Sequence, residues 1–505
     1  MIARSLSACL DGIEVQTVVV EVDVAAGLPS FTIVGLTDRA IQEARERVKS
    51  AVVNSGFSFP ARRLIVNLAP AQVRKEGSAF DVAIAVGVLC AAGLELGTTG
   101  AGFIGELGLD GKVRPVRGAL ALSHHLAAAG AGRLFVPTAN AAEAATAGVP
   151  VLPIEGLDGL VRHLLGEEPI TPFAARAALA DSDKATIDLR DIHGQEIPKR
   201  ALQLVAAGGH HVLFVGPPGA GKSMLARALA GLLPDLCAGH AQEVTSIHSI
   251  AGLLRSPGLM RRPPCRYPHH SISSAGLLGG GAPIRPGEVS LAHRGVLVLD
   301  ELPEFQRHCL EALREPMEEG SLRLSRACGT RVLPASFTLV ATANPCPCGL
   351  GDSAPAALAG RGRYPVCTCP PDVVARYQRR ISGPLRDRID LVVEVRRVSL
   401  TGLAPSATAE PSAVVRGRIE AARERQAARQ GPGRLNAGLG SGELHRHCTL
   451  SDEAARMMSR MAAEYGLTGR GFHGALRLAR SAADLDDAEQ IEAHHLLEAC
   501  EYRAA

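Results

Sequence analysis

Gly216-Pro217-Pro218-Gly219-Ala220-Gly221-Lys222-Ser223 follows the apolar run His211-Val212-Leu213-Phe214-Val215 and precedes an amphipathic stretch from Ser223 to Leu233. That order predicts a buried strand, a glycine-rich turn and a helix. The spacing GxxxxGK[ST] in this context is the phosphate-binding P-loop. Its glycines let backbone N–H groups turn inward around phosphate oxygens, and the helix N-terminus adds positive dipole. Lys222 is expected to reach the β- and γ-phosphates of ATP, and Ser223 to place its hydroxyl on Mg2+. Only six of the 54 basic residues are lysines, and Lys222 is the last of them. A chain that otherwise uses arginine keeps lysine where a compact point charge suits a phosphate.

A length of 505 residues exceeds what one core accommodates, so two to four domains are expected. With 46% hydrophobic and 21% charged residues, the composition is that of a globular protein. The net charge is only +3, so nucleic-acid binding has to come from local arginine patches. Met1 to Asp11 lacks a basic-then-apolar leader pattern, and no stretch approaches the ~18 apolar residues of a membrane span. The expected location is the cytosol, without membrane association, where the 12 cysteines are thiols or metal ligands rather than disulfides.

Three blocks follow along the chain. Residues 1–170 open with strand-like runs at Glu14–Asp23 and Ser30–Val34, then helical stretches at Asp38–Asn54 and Ala79–Ala92. Residues 171–187 read as a linker. Residues 188–398 alternate strands and helices, which implies a largely parallel α/β sheet. A second linker spans 399–412, and 413–505 are helical.

Gly295-Val296-Leu297-Val298-Leu299-Asp300-Glu301 reads as a buried strand ending in two acids, as a Walker B element requires. Asp300 is the candidate for holding Mg2+, and Glu301 for orienting the attacking water. A third strand, Ser336 to Ala343, delivers Asn344 at its C-terminal end, where ligands collect in open α/β sheets. Asn344 is therefore a candidate γ-phosphate sensor.

P-loop, Asp-Glu pair, strand-end Asn and C-terminal helical block resemble AAA+ ATPases. Finer detail lies in Gly208-Gly209-His210, Pro268-His269-His270-Ser271, Pro286-Gly287-Glu288, Leu299-Asp300-Glu301-Leu302-Pro303-Glu304-Phe305, Asn344-Pro345-Cys346-Pro347-Cys348-Gly349, Ser382-Gly383-Pro384-Leu385 and Asp387-Arg388-Ile389-Asp390. The N-terminal phrases Ile33-Val34-Gly35-Leu36, Asn67-Leu68-Ala69-Pro70 and Arg74-Lys75-Glu76-Gly77 fit the same pattern. Together they resemble the YifB/ComM family of magnesium-chelatase-like AAA+ proteins, bacterial ATPases linked to natural transformation and DNA branch migration. The resemblance runs from Leu6 to Arg503. It implies an AAA+ P-loop core with a C-terminal helical lid, preceded by an α+β domain of ribosomal S5/Lon type.

The resemblance also assigns roles. Arg388 matches the arginine that reaches into a neighbouring subunit's ATP as a finger, with Arg386 close by. Arg477, within Leu476-Arg477-Leu478-Ala479-Arg480, matches a sensor-2 phosphate contact. A shared site implies a ring, for which the family suggests a homohexamer. Cys346-Pro347-Cys348 and Cys367-Thr368-Cys369 form two Cys-x-Cys pairs, and four convergent thiolates suit tetrahedral Zn2+. Incidental buried thiols or an oxidised pair are the alternatives to zinc.

Two regions are candidates for DNA. The insert Ser249–His293 carries Arg255, Arg261, Arg262, Arg266, His269 and His270, and Ser321–Pro334 reads as a hairpin with Arg323, Arg326 and Arg331 on its arms. In the clade both point into the ring pore. Arginines on phosphates give sequence-independent, salt-sensitive binding, and aromatics at 3% leave base stacking a minor part. In the Lon-like block the nucleophile position holds Ala79 and the general-base lysine position Leu120, with Ser78 one residue early, so protease chemistry is disfavoured. The expected function is an ATP-hydrolysing motor on forked or branched DNA, a helicase or branch-migration factor working with recombination proteins. A magnesium-chelatase subunit driving metal insertion is the alternative.

Overall fold

The computed structural model describes residues 2–35, 38–70, 75, 77–174, 187–254, 258–281, 284–326, 329–351, 367–398, 410–464 and 468–504. These fall into two compact units. One comprises Met1–Asp181 with Ala241–Met260 and Gly280–Pro286, the other Ser182–His240, Arg261–Gly279 and Gly287–Ala505. The first unit therefore takes in two pieces that lie, in sequence, inside the second. Much of both expected linkers, at 175–186 and 399–409, is outside the described residues.

The first unit is built on a seven-stranded mixed sheet. From one edge its strands are Ser30–Val34, Arg63–Ala69, Glu14–Ala25, Ile2–Asp11, Ala101–Phe103, Arg133–Pro137 and Val151–Ile154. Ile2–Asp11 and Glu14–Ala25 pair antiparallel from Ile2 opposite Asp23 to Asp11 opposite Glu14. Side chains alternate across a strand, so Cys9 enters one apolar core and Ala8 the other. Helix Asp81–Ala91 (DVAIAVGVLCA) is buried from Asp81 to Leu89. It lies close on the sheet because Gly87 has no side chain: a Cβ there would stand 2.8 Å from Val22 Cγ2. Leu122 and Leu126 of helix Ala119–Ala128 fill the other core.

The second unit carries a five-stranded sheet in the order Cys265–Arg266, Val296–Leu299, Thr338–Ala343, Val212–Val215, Leu391–Glu394. Every pairing in it is parallel. Runs such as VLFV and VLVL are apolar at every position because both faces of such a sheet are covered. The C-terminal region is helical at Ser412–Gln430, Ser441–His447, Asp452–Glu464, Gly469–Leu485 and Ala493–Ala504. Its apolar residues, Val415, Ile419 and Leu478 among them, share one core with Leu225 and Leu229 of the helix after the P-loop. A parallel sheet followed by this helical lid is the layout of an AAA+ ATPase.

A buried ionic cluster fixes the inside of the lid. Asp484, fully buried, accepts from Arg429 Nη1 (2.9 Å) and Nη2 (2.7 Å), from Arg480 Nε (3.1 Å) and from Asn436 Nδ2 (2.8 Å). A buried carboxylate is tolerable only with such partners, and removing it strands two cations at about 3–5 kcal/mol.

Candidate active site

Strand register assembles the site. Phe214 pairs with Thr342 and Val215 with Ala343, while Leu299 pairs with Ala341. All strands run the same way, so Gly216, Asp300 and Asn344 emerge together at the C-terminal edge of the sheet. The P-loop turns there through Gly219 (φ +75°) and Gly221 (φ +93°), both left-handed. A Cβ at either would meet no neighbour within 4 Å, so backbone conformation alone selects glycine. Helix Lys222–Leu232 starts at once, leaving first-turn N–H groups for an anion.

Lys222 is buried beneath this loop. Its Nζ donates to Gly216 O (2.6 Å), Pro217 O (2.9 Å) and Asn344 Oδ1 (3.1 Å), which uses its three protons. Burial lowers the pKa of Lys222, against the opposing charges of Asp300 and Glu301. Ser223 Oγ donates to Asp300 Oδ2 at 2.9 Å. Hydroxyl and carboxylate thus face one point, and an oxygen pair of this kind suits Mg2+.

Thr342, which belongs to no motif in the sequence, holds both acids. Its fully buried Oγ1 donates to Asp300 Oδ1 (2.5 Å) and accepts from Glu301 N (3.0 Å). The available signal was a second hydroxyl, after Thr338, in the short strand TLVATA. Glu301 sits at φ +56°, a conformation costly for a side chain with Cβ and typical of functional sites. Its carboxylate is exposed, with His270 Nδ1 3.9 Å away. Pro218 packs against the start of the cysteine segment: a Cβ on Gly349 would stand 2.8 Å from its ring.

The three arginine positions separate. Arg388 Nη1 donates to Pro384 O (2.7 Å), and Nη2 pairs with Glu318. Glu318 also takes Arg470 Nη2 at 3.3 Å, so one carboxylate gathers two arginines. Arg386 is exposed on the same short segment. Arg477, expected at a phosphate, lies in the lid, where Nε donates to Leu439 O (2.8 Å). One turn on, Ser481 bonds His210. His210 precedes the P-loop strand, whereas the P-loop follows it, so this part of the helix stands at the opposite edge of the sheet. Burial lowers the pKa of Arg477, with the Asp390 carboxylate as a partial offset.

The four cysteines converge. Cys346 Sγ lies 3.2 Å from Cys348 Sγ and 3.5 Å from Cys367 Sγ, and Cys348 Sγ 3.6 Å from Cys367 Sγ. With Cys369, all four sulfurs are within 4.8 Å of one another, and none forms a disulfide. Bonds of about 2.3 Å to one tetrahedral zinc put sulfurs about 3.8 Å apart, close to this arrangement. Gly351 N donates to Cys346 Sγ at 3.2 Å. The Leu350 N–H, followed by Cys346, pulls the Cys348 thiol down to about 6.

Among the arginines expected at DNA, Arg255 and the side chain of Arg326 are outside the described residues. Arg261 and Arg262 are exposed. Arg266 makes a two-pronged pair with Glu288 (2.6 and 2.8 Å). The hairpin is present as Ser321–Arg326 against Gly329–Pro334. Its register sets Arg323 opposite exposed Val332 and Arg331 opposite buried Leu324, so the two arginines point to opposite faces. Arg323 is 65% exposed, with Glu319 3.7 Å away. In the first unit Ala79 and Leu120 are packed inside, and Ser78 Oγ bonds the Glu106 carboxylate.

Comparison with known proteins agrees with this layout. A family model described as magnesium chelatase, subunit ChlI, matches residues 188–403; models for subunit ChlI of Mg-chelatase and for the ChlI C-terminal region match 20–140 and 409–503. The uncharacterized protein YifB of Salmonella typhimurium is 41% identical over 503 residues, covering 98% of this chain and 95% of that protein. The competence protein ComM of Haemophilus influenzae is 40% identical over 502 residues, with 98% and 96% covered. The magnesium-chelatase 67 kDa subunit of Chlorobaculum parvum is 30% identical over 165 residues, 32% of this chain and 23% of that protein.

Proposed function

The chain belongs to the YifB/ComM family of magnesium-chelatase-like AAA+ ATPases, and on that premise we propose that it is a DNA motor. It hydrolyses ATP with Mg2+ and acts as a helicase or branch-migration factor in recombination during natural transformation. The observation that carries the ATPase part is the convergence of Lys222, Ser223, Asp300, Glu301 and Asn344 at one sheet edge. The P-loop N–H groups and Lys222 hold the phosphates, Ser223 and Asp300 orient the Mg2+ shell, and Asn344 reads the γ-phosphate. Glu301 accepts a proton from the attacking water.

Arg388 serves a neighbouring subunit's nucleotide, so the active form is a ring, with six copies as in the resemblance that assigns the finger. The DNA part is supported by the printed name of the ComM relative and by the exposed arginines Arg261, Arg262 and Arg323. Backbone phosphates are their ligand, without regard to sequence. The four cysteines hold a structural zinc that braces the segment against Pro218. The first unit is a Lon-type domain without catalytic dyad, serving assembly in a cytoplasmic protein.

The test is ATPase activity with and without DNA, together with strand displacement and branch migration on forked and four-way substrates. A chelatase-type role, favoured by the Chlorobaculum similarity, predicts ATPase activity indifferent to DNA.

A further inference from the structure

His210 lies outside the phosphate site, yet three parts of the ATPase machinery meet on it. The ring is fully buried. Nε2 is 2.7 Å from Ser481 Oγ on the lid helix Gly469–Leu485, and Nδ1 is 3.5 Å from Asp390 Oδ2. Asp390 follows Arg388 by two residues and accepts from His211 N at 3.1 Å. The backbone closes the same joint: Asp390 N and Leu391 N both donate to His211 O at 3.0 Å.

Proton bookkeeping orders the network. Ser481 Oγ has one proton, which goes to Arg477 O (3.2 Å), and two lone pairs. Those accept from Asn436 Nδ2 (3.1 Å) and from His210 Nε2. The other ring nitrogen faces the Asp390 carboxylate. That carboxyl is held down at about 2: burial pushes the other way most strongly of any one cause, and His210, His211 and Arg503 together outweigh it. Arg503 Nη1 stands 3.7 Å from the same group.

The preceding glycines are explained by the same joint. A Cβ on Gly208 would fall 2.3 Å from both His210 Nε2 and Ser481 Oγ, and Gly209 turns at φ +74° to end the helix. A Ser-His-Asp geometry of this kind could suggest a hydrolase. A fully enclosed hydroxyl that already has three partners cannot attack a substrate.

We propose that His210 is a positioning residue, the joint through which the lid helix, the strand entering the P-loop and the segment bearing Arg388 keep one fixed relation. Resting on the ATPase reading above, this makes the joint a determinant of turnover rather than of nucleotide binding. The phosphate contacts lie at the other sheet edge and do not need it.

The experiment uses the full chain. Wild type, Ser481→Ala and Asp390→Asn are compared for fluorescent-ATP affinity, kcat per bound nucleotide and thermal midpoint. The expected result is a kcat lowered by about tenfold or more with affinity within about threefold. The Ser481→Ala/Asp390→Asn double variant should lose little beyond the worse single one, because both break one joint. Unchanged kcat in both variants overturns the proposal. So does a parallel loss of affinity, kcat and thermal midpoint, which marks a merely structural role. Failure of the wild type itself to hydrolyse ATP strikes the ATPase reading instead.

Discussion

Ser223 and Asp300, 77 residues apart, stand with Oγ and Oδ2 2.9 Å from each other. The contact joins the start of the P-loop helix to the end of a different strand. It explains why neither motif alone makes a site: an ion that needs hydroxyl and carboxylate oxygens finds both only where two strand ends meet. The roles of the neighbouring residues are open to direct test.

Lys222→Ala should weaken nucleotide binding severely, since it removes the one cationic side chain of the P-loop. Glu301→Gln should bind ATP normally and slow hydrolysis by roughly 100-fold or more, because only the proton acceptor is lost. Equilibrium binding and single-turnover hydrolysis separate the two. Wild-type turnover in Glu301→Gln would show that the acid is misassigned.

Arg388 should act across a subunit interface. Arg388→Ala alone should be nearly inactive, and so should Glu301→Gln. Mixed rings should recover part of the activity at interfaces that combine an intact arginine with an intact acid. Full ATPase activity of pure Arg388→Ala rings would remove the finger assignment and turn attention to Arg470, which shares Glu318 with it.

Purified protein kept reduced should contain about one zinc per chain by metal analysis. Cys367→Ser/Cys369→Ser should lose the metal along with thermal stability, since metal binding and ordering of the segment are coupled. A metal-free wild type with undiminished stability would contradict the cluster's role.

DNA binding should be steeply salt-dependent and nearly blind to sequence. Arg323→Ala should reduce the salt slope by about 1 and lower DNA-stimulated ATPase while sparing the basal rate. Arg331→Ala should do less to binding, because its strand position faces buried Leu324. Equal effects of the two changes would argue against a single DNA-facing side of the hairpin.

Asp390 carries a pH prediction. Its folded pKa, about 2, lies below the ordinary value of 3.8. The stabilisation is therefore complete above the unfolded pKa and disappears as pH falls from about 4 to about 2. It amounts to roughly 2 kcal/mol. Denaturant unfolding of wild type and Asp390→Asn should differ at neutral pH and converge across that window. A constant difference at all pH values would assign the effect to packing.

Much of the site was legible because its chemistry is local. The P-loop needs glycines at fixed offsets for left-handed turns, then a lysine and a hydroxyl, and no tertiary information is required to see this. Asp300-Glu301 and Asn344 were readable because a buried strand announces itself as an apolar run and its last residue must fall at the sheet edge. Thr342 escaped because a threonine in a strand has many uses. Only the register that sets Ala341 opposite Leu299, and so Thr342 beside Asp300, gives it that carboxylate as partner.

Residue type and short spacing are enough to mark the residues that could touch phosphate, metal and sulfur, because the chemical demand there is local. Tertiary structure alone decided which arginines stand where. Arg470 and Arg477 are seven residues apart on one helix, yet the first shares Glu318 with Arg388 and the second is held by Leu439 O inside the lid. It also decided that 241–260 pack with the first unit, where Ser249 Oγ donates to Glu143 Oε2 at 2.6 Å. Long-range partners of this kind are set by how helices and strands pack in three dimensions, and a pattern read along one chain carries no record of the neighbour across the fold.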